Sequence, residues 1–190
     1  MALLKVVFLF LVAAETIYGQ SFRFSTCPKI KPQENFNVTQ YLGTWYEIKK
    51  LPAMFERGKC VQAKYSLLQD GAVRVHNSEL LKDGKINSIE GTAKVEDHAK
   101  PAILSVSFFK VVPDSPYIVL NTDYSSYALV YSCSDYFGLF HIDFAWILSR
   151  TRHLDSATVS LLQDKLTLIG VDVSRLSVTD QTGCGPMASA

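Results

Sequence analysis

The sequence predicts an all-β protein: an eight-stranded antiparallel up-and-down barrel with one C-terminal α-helix. Three observations carry that reading. Eight segments of strand character follow one another at short spacing between residues 45 and 150. Hairpin turn signals, Asp70-Gly71 and Asp83-Gly84, punctuate the run. After the eighth segment the apolar period changes from that of a strand to that of a helix. Connections that are mostly short and sequential favour an up-and-down barrel.

The composition sets the class. The chain has 190 residues, 48% of them hydrophobic and 12% aromatic, which suits one globular domain with a real core. A formal net charge of +1 argues against a nucleic-acid groove and against electrostatic steering of a charged partner.

The first residues read as a secretory signal. Lys5 precedes the short apolar core Val6 to Ala14, and Thr16-Ile17-Tyr18-Gly19 suits cleavage after Gly19. A membrane span needs about twenty apolar residues, more than this core supplies. Residues 1–19 are therefore expected to be removed, leaving 20–190 as a single domain of a secreted, extracellular protein.

The elements follow in order. Residues 20–42, with Pro28 and Pro32, read as an irregular leading arm. Within it Asn37-Val38-Thr39 is an N-glycosylation acceptor, which makes Asn37 a candidate modification site. Gly43 suits a turn closed to other residues, and the first strand runs from Trp45 to Leu51. A loop with Pro52 and Gly58 leads to Cys60–Leu68, where Val61, Ala63, Tyr65 and Leu67 alternate with polar residues. Val73–Leu81, Ile86–Val95, Ala102–Phe109, Tyr117–Thr122, Ser126–Cys133 and His141–Arg150 complete the eight. Asp155 is placed to cap the helix, with Val159, Leu162, Leu166 and Ile169 as its apolar stripe and Gly170 at its end. A last strand is expected at Arg175–Thr179.

Four cysteines, Cys27, Cys60, Cys133 and Cys184, imply two disulfides in a secreted chain, and their spacing leaves three pairings open. No Cys-x-x-Cys spacing points to zinc. His76, His98, His141 and His153 fall on different elements, so neither a metal nor a catalytic centre is expected, and no cofactor motif is present.

Three short motifs add to this. Gly43-Thr44-Trp45 opens the first strand, Thr122-Asp123-Tyr124 lies between the sixth and seventh, and Arg150 ends the eighth. In that order and at those distances the chain resembles the lipocalin family over nearly its whole mature length. Gln33-Glu34-Asn35-Phe36, Ala128 to Cys133, Phe144 to Leu148 and Val178 to Gln181 extend the likeness. The resemblance implies the pairings Cys27–Cys133 and Cys60–Cys184. It also implies that Arg150 lies across Trp45 at a closed end. Gly43, Trp45, Thr122, Asp123, Tyr124 and Arg150 are accordingly read as structure.

Such a barrel is just wide enough for one small ligand. Alternation places Ala63, Tyr65 and Leu67, then Val75, Asn77, Glu79 and Leu81, then Phe144, Trp146 and Leu148 on the inner face, with Tyr117 from the sixth strand. Asn77 and Glu79 are the candidate polar anchors. The expected function is transport of a small hydrophobic ligand: a fatty acid, a sterol or a bilin-like pigment. One enzymatic branch of the family uses a free cavity thiol on lipid (isomerase-type chemistry). Four paired cysteines would leave no such nucleophile, so an enzyme is not expected. At the mouth, Phe109, Val111, Val112 and Ile118, with Tyr136, Phe137 and Leu139, look too apolar for solvent. Two readings stay open: they fold inward over the cavity as a lid, or they contact lipoprotein particles or a membrane surface.

Overall fold

The computed structural model describes residues 21–109, 111 and 113–189. The expected signal segment 1–19 and the mouth residue Val112 lie outside the described residues. After a short strand β1 (Ser21–Arg23) and a one-turn helix α1 (Val38–Tyr41), eight strands build the wall. They are β2 (Gly43–Lys50), β3 (Lys59–Leu67), β4 (Val73–Leu80), β5 (Ile86–Val95), β6 (Ile103–Ser107), β7 (Ser115–Thr122), β8 (Tyr127–Tyr136) and β9 (Phe140–Ser149). Helix α2 (Ser156–Leu168) and the two-residue strand β10 (Ser177–Val178) follow.

Each wall strand pairs antiparallel with its sequence neighbour. The sheet closes where β9 meets β2, with Tyr46 opposite Ser149 and Lys50 opposite Trp146, across a register shift between Glu47 and Lys49. A bulge there bends the strand and sharpens the twist that closure needs. The two short end strands dock outside the ring, β1 on β9 and β10 on β2.

Burial along β9 tells which face is hollow. His141, Asp143, Ala145 and Ile147 point away from the interior, yet they are buried. Phe144 and Trp146 point inward and are only half-buried. The outer face is covered because α2 and the leading arm lie on it. Leu162 and Leu166 of α2 pack with Leu129, Tyr131, Ala145 and Ile147 in a core outside the barrel. Asp155 caps α2 by accepting a hydrogen bond from the Thr158 backbone N–H at 2.8 Å. Gly170, at φ +84°, ends it.

Both disulfides fasten chain ends to the wall. Cys27, in the leading arm, is bonded to Cys133 on β8, and Cys184, in the tail, to Cys60 on β3. Cross-links closing loops this long contribute roughly 2–4 kcal/mol each. They suit an oxidising compartment. No helix among the described residues is long and apolar enough to cross a membrane.

The structure departs from the sequence reading in the arm, at two wall strands and in the tail. The leading arm is not wholly irregular, since β1 pairs with β9 and Asn37 caps α1 through its bond from Gln40 N–H at 3.2 Å. The sixth strand starts at Ser115, before Tyr117, and the seventh extends past Cys133 to Tyr136. The tail strand is shorter than Arg175–Thr179 because Asp172 caps a 3-10 turn over Val173–Arg175.

Candidate ligand cavity and its closed end

Trp45 forms the floor. It is 0% exposed, and its indole Nε1–H donates to the Tyr41 carbonyl at 2.8 Å. The Arg150 guanidinium carbon sits 3.7 Å from the centre of the Trp45 ring. Its three nitrogens donate to the carbonyls of Tyr124 (2.9 Å), Thr44 (3.0 Å) and Gln40 (3.0 Å). One side chain thus joins α1, β2 and the β7–β8 turn. Gly43 takes φ +94°, and a Cβ there would stand 3.3 Å from Arg150 Nη1, so both its conformation and its size are used.

The β7–β8 turn is held by its own residues. Asp123 accepts from the backbone N–H groups of Ser125, Ser126 and Tyr127 and from the Ser126 hydroxyl. Burial raises its pKa, but these donors together outweigh burial and leave the carboxyl below its ordinary value. Thr122 Oγ1 donates to the Tyr127 carbonyl at 2.7 Å. Tyr124, at φ +66°, accepts from the Asn37 backbone N–H and stacks on Phe36.

Above this floor lies a cavity of about 590 Å³, within the range of small-molecule sites. One wall is an aromatic ladder. Phe55, Phe144 and Trp146 follow one another at ring separations of 5.5 and 5.8 Å. The lower interior holds Tyr41, Tyr65 and Tyr117, with Val73, Val75, Leu104 and Val106 around them.

The family model of the lipocalin-like domain matches residues 36–181. The chain belongs to the lipocalin family. It is 49% identical to mouse (Mus musculus) apolipoprotein D over 169 residues, 89% of each chain. Among solved structures it is similar to insecticyanin of the tobacco hornworm Manduca sexta, with TM-score 0.75, 28% identity and coverage of 87% of this chain and 92% of that one. Lobster apocrustacyanin A1 gives TM-score 0.74 at 26% identity, covering 85% and 92%.

In this lipocalin the cavity is lined by Ala63, Tyr65, Val75, Asn77, Glu79, Tyr117, Phe144, Trp146 and Leu148, nine of the eleven inner-face positions read from alternation. The other two fall outside it. Leu67 shares the face of Tyr65, but it is the last residue of β3, beyond the closed end, and is 56% exposed. Leu81 follows the end of β4 and belongs to the turn, where its N–H donates to the Lys85 carbonyl.

Glu79 lines the wall but is not a free anchor. Its Oε2 accepts from the backbone N–H groups of Arg57 and Gly58, and its Oε1 from Asn87 Nδ2. It holds the β2–β3 loop. Gly58 permits this approach, since a Cβ there would meet the Leu80 carbonyl oxygen at 2.6 Å. Asn77 is different: its Oδ1 is buried without a hydrogen-bond partner among the described residues.

Several lining residues were not read from the sequence. Tyr41 and Phe36 come from the arm, brought in by the turn of α1, and Phe55 comes from the β2–β3 loop. The sequence signal for Tyr41 is its place four residues before Trp45. Glu47, two residues after Trp45 on the same face, was also missed. It is 2% exposed, bonded to the Thr179 hydroxyl and 3.7 Å from Lys50 Nζ, which also pairs with Glu56 at 2.6 Å. Burial, then the Glu56 charge, pushes the Glu47 carboxyl well above the usual range, opposed by Lys50 and the Thr179 hydroxyl.

The mouth residues divide. Phe109, Val111, Phe137 and Leu139 are exposed, Val111 by 93% and Phe137 by 90%, and Tyr136 is exposed but stacks on Phe140. Ile118 does not join them: it is 8% exposed, in the wall. It follows the inward Tyr117 by one position, so it points outward. Phe137 takes φ +56°, uncommon for a bulky residue, at the tip of the β8–β9 hairpin.

Proposed function

We propose that this lipocalin is a secreted carrier of small hydrophobic molecules, with residues 20–190 as the mature domain. The observation that carries the reading is the cavity: about 590 Å³, walled by the Phe55–Phe144–Trp146 ladder and aliphatic side chains, with few polar groups. Fatty acids, sterols and bilin-like pigments are the classes to try. Burial of about ten methylenes, less the cost of association, supports an affinity of about micromolar. Native mass spectrometry of the secreted protein, with extraction of its cargo, tests this. Recovery of empty protein that takes up none of these classes in titration would overturn it. The thiol-dependent enzyme reading has no support, because all four cysteines stand in disulfides.

A second reading concerns the mouth and can hold beside the first. Phe137 and Leu139 at one hairpin tip, with Phe109 and Val111 at the neighbouring loop, offer apolar side chains to a lipoprotein or membrane surface. Phe137 is held outward in an unfavourable backbone conformation, and the mouse relative is named an apolipoprotein. With Asn37 exposed on α1, away from this rim, a glycan there is compatible with both readings.

A further inference from the structure

Three phenol hydroxyls meet inside the cavity. Tyr117 Oη stands 2.8 Å from Tyr41 Oη and 2.9 Å from Tyr65 Oη. Each hydroxyl carries one proton. The two contacts use two of the three protons, whichever way each bond runs. One O–H is left over in every arrangement. The three hydroxyls make no other hydrogen bond among the described residues, so this proton faces the cavity. A buried donor without an acceptor is unfavourable.

The cavity lining offers no free positive charge. Among the described residues, no lysine, arginine or histidine lines it; of the glutamates that do, Glu56 is paired with Lys50, Glu79 is held by three donors, and burial favours the neutral form of Glu47. A carboxylate entering head-first would lose its water without gaining a counter-charge.

Resting on the carrier reading above, we propose that the leftover tyrosine O–H is the specificity element of this cavity. It selects a neutral apolar molecule bearing an accessible acceptor oxygen, such as a ketone, and holds it oxygen-first toward the closed end. The apolar body then lies along Phe144 and Trp146. The donor persists at neutral pH. Burial raises the Tyr65 pKa to about 12 and those of Tyr41 and Tyr117 well above their ordinary value.

The test uses matched probes near neutral pH: methyl octyl ketone with an isotope-labelled carbonyl, decane and decanoate. Bound ketone should show its C=O stretch moved to lower frequency than in alkane solution. The triple variant Tyr41→Phe, Tyr65→Phe, Tyr117→Phe keeps the rings and removes the protons. It should return the band to its alkane position and cut the ketone-over-decane preference about five- to tenfold. Comparing variants in this way cancels the probes' own solvation. Decanoate should bind wild type roughly tenfold or more weakly than the ketone. The single variants Tyr41→Phe and Tyr65→Phe each still leave one proton over, so the shifted band should survive in both. They decide the matter should the triple variant fail to fold. An unshifted band in wild type or in either single variant overturns the proposal. So does an unchanged preference in the triple variant, or decanoate binding as tightly as ketone. If decane and ketone bind equally, only this inference falls. If no probe binds at all, this inference falls, and the carrier reading falls with it only when titration of the fatty acid, sterol and pigment classes also finds no uptake.

Discussion

Arg150 covers the Trp45 ring at 3.7 Å while donating to three backbone carbonyls, so one side chain closes the barrel floor. Removing it would expose the indole and leave those carbonyls without their charged donor. Arg150→Ala should therefore lower unfolding stability by about 2–4 kcal/mol. Arg150→Lys keeps the charge but loses the fork, and should recover less than half of the loss. Denaturant unfolding measures both. Ligand affinity of the folded fraction should stay near wild type, because neither Arg150 nor Trp45 lines the cavity.

Trp146 faces the cavity and stacks on Phe144. A bound apolar molecule should quench its fluorescence, and Trp146→Ala should weaken that ligand about tenfold with little change in folding. Affinity unchanged in the alanine variant would place the cargo elsewhere.

Glu47 gives the protein a pH dependence of definite sign. Its folded pKa is raised, so the folded state holds this proton more firmly than the unfolded chain does. The carboxyl costs nothing below its ordinary value of 4.5, and its cost grows as pH rises from there toward the elevated folded value. Glu47→Gln keeps an acceptor for Thr179. It should raise the melting temperature at about pH 7.5 and change it little below pH 4.5. Equal effects at both pH values would contradict the assignment.

Asn37 both caps α1 and is the glycan acceptor proposed above. Its Oδ1 accepts from Gln40, which leaves Nδ2 for a sugar. Two substitutions separate the roles. Thr39→Ala should abolish a glycan, read as a mass loss matching that of deglycosylated wild type, with the cap intact. Asn37→Ala should abolish it and also cost about 1 kcal/mol.

For the mouth, liposome or lipoprotein flotation compares wild type with Phe137→Ser, Leu139→Ser. The double variant should sediment while still quenching Trp146 with ligand. If it floats like wild type, these residues do not anchor the protein to lipid.

Alternation made much of the cavity legible. Tyr65, Val75, Phe144 and Trp146 follow from strand parity alone. The same rule carries no stop mark, which is why Leu67, the last residue of its strand, and Leu81, one past the end of its own, were included. Parity also argued against Ile118, since Tyr117 beside it already points in. Tyr41 and Phe55 were hidden for another reason: the leading arm and a loop deliver them, and neither has a period to count. The satisfied carboxylate of Glu79 could not be foreseen either, because two of its three donors are backbone N–H groups of a loop.

The core outside the wall has a consequence for the order of events in the cell. Leu162 and Leu166 pack on Leu129, Tyr131, Ala145 and Ile147, and both disulfides fasten chain ends to the wall. None of these contacts passes through the cavity. The scaffold thus needs no cargo to be completed. In the carrier reading proposed above, the protein can therefore form as an empty vessel, be filled wherever it meets a ligand, and release that ligand without coming apart.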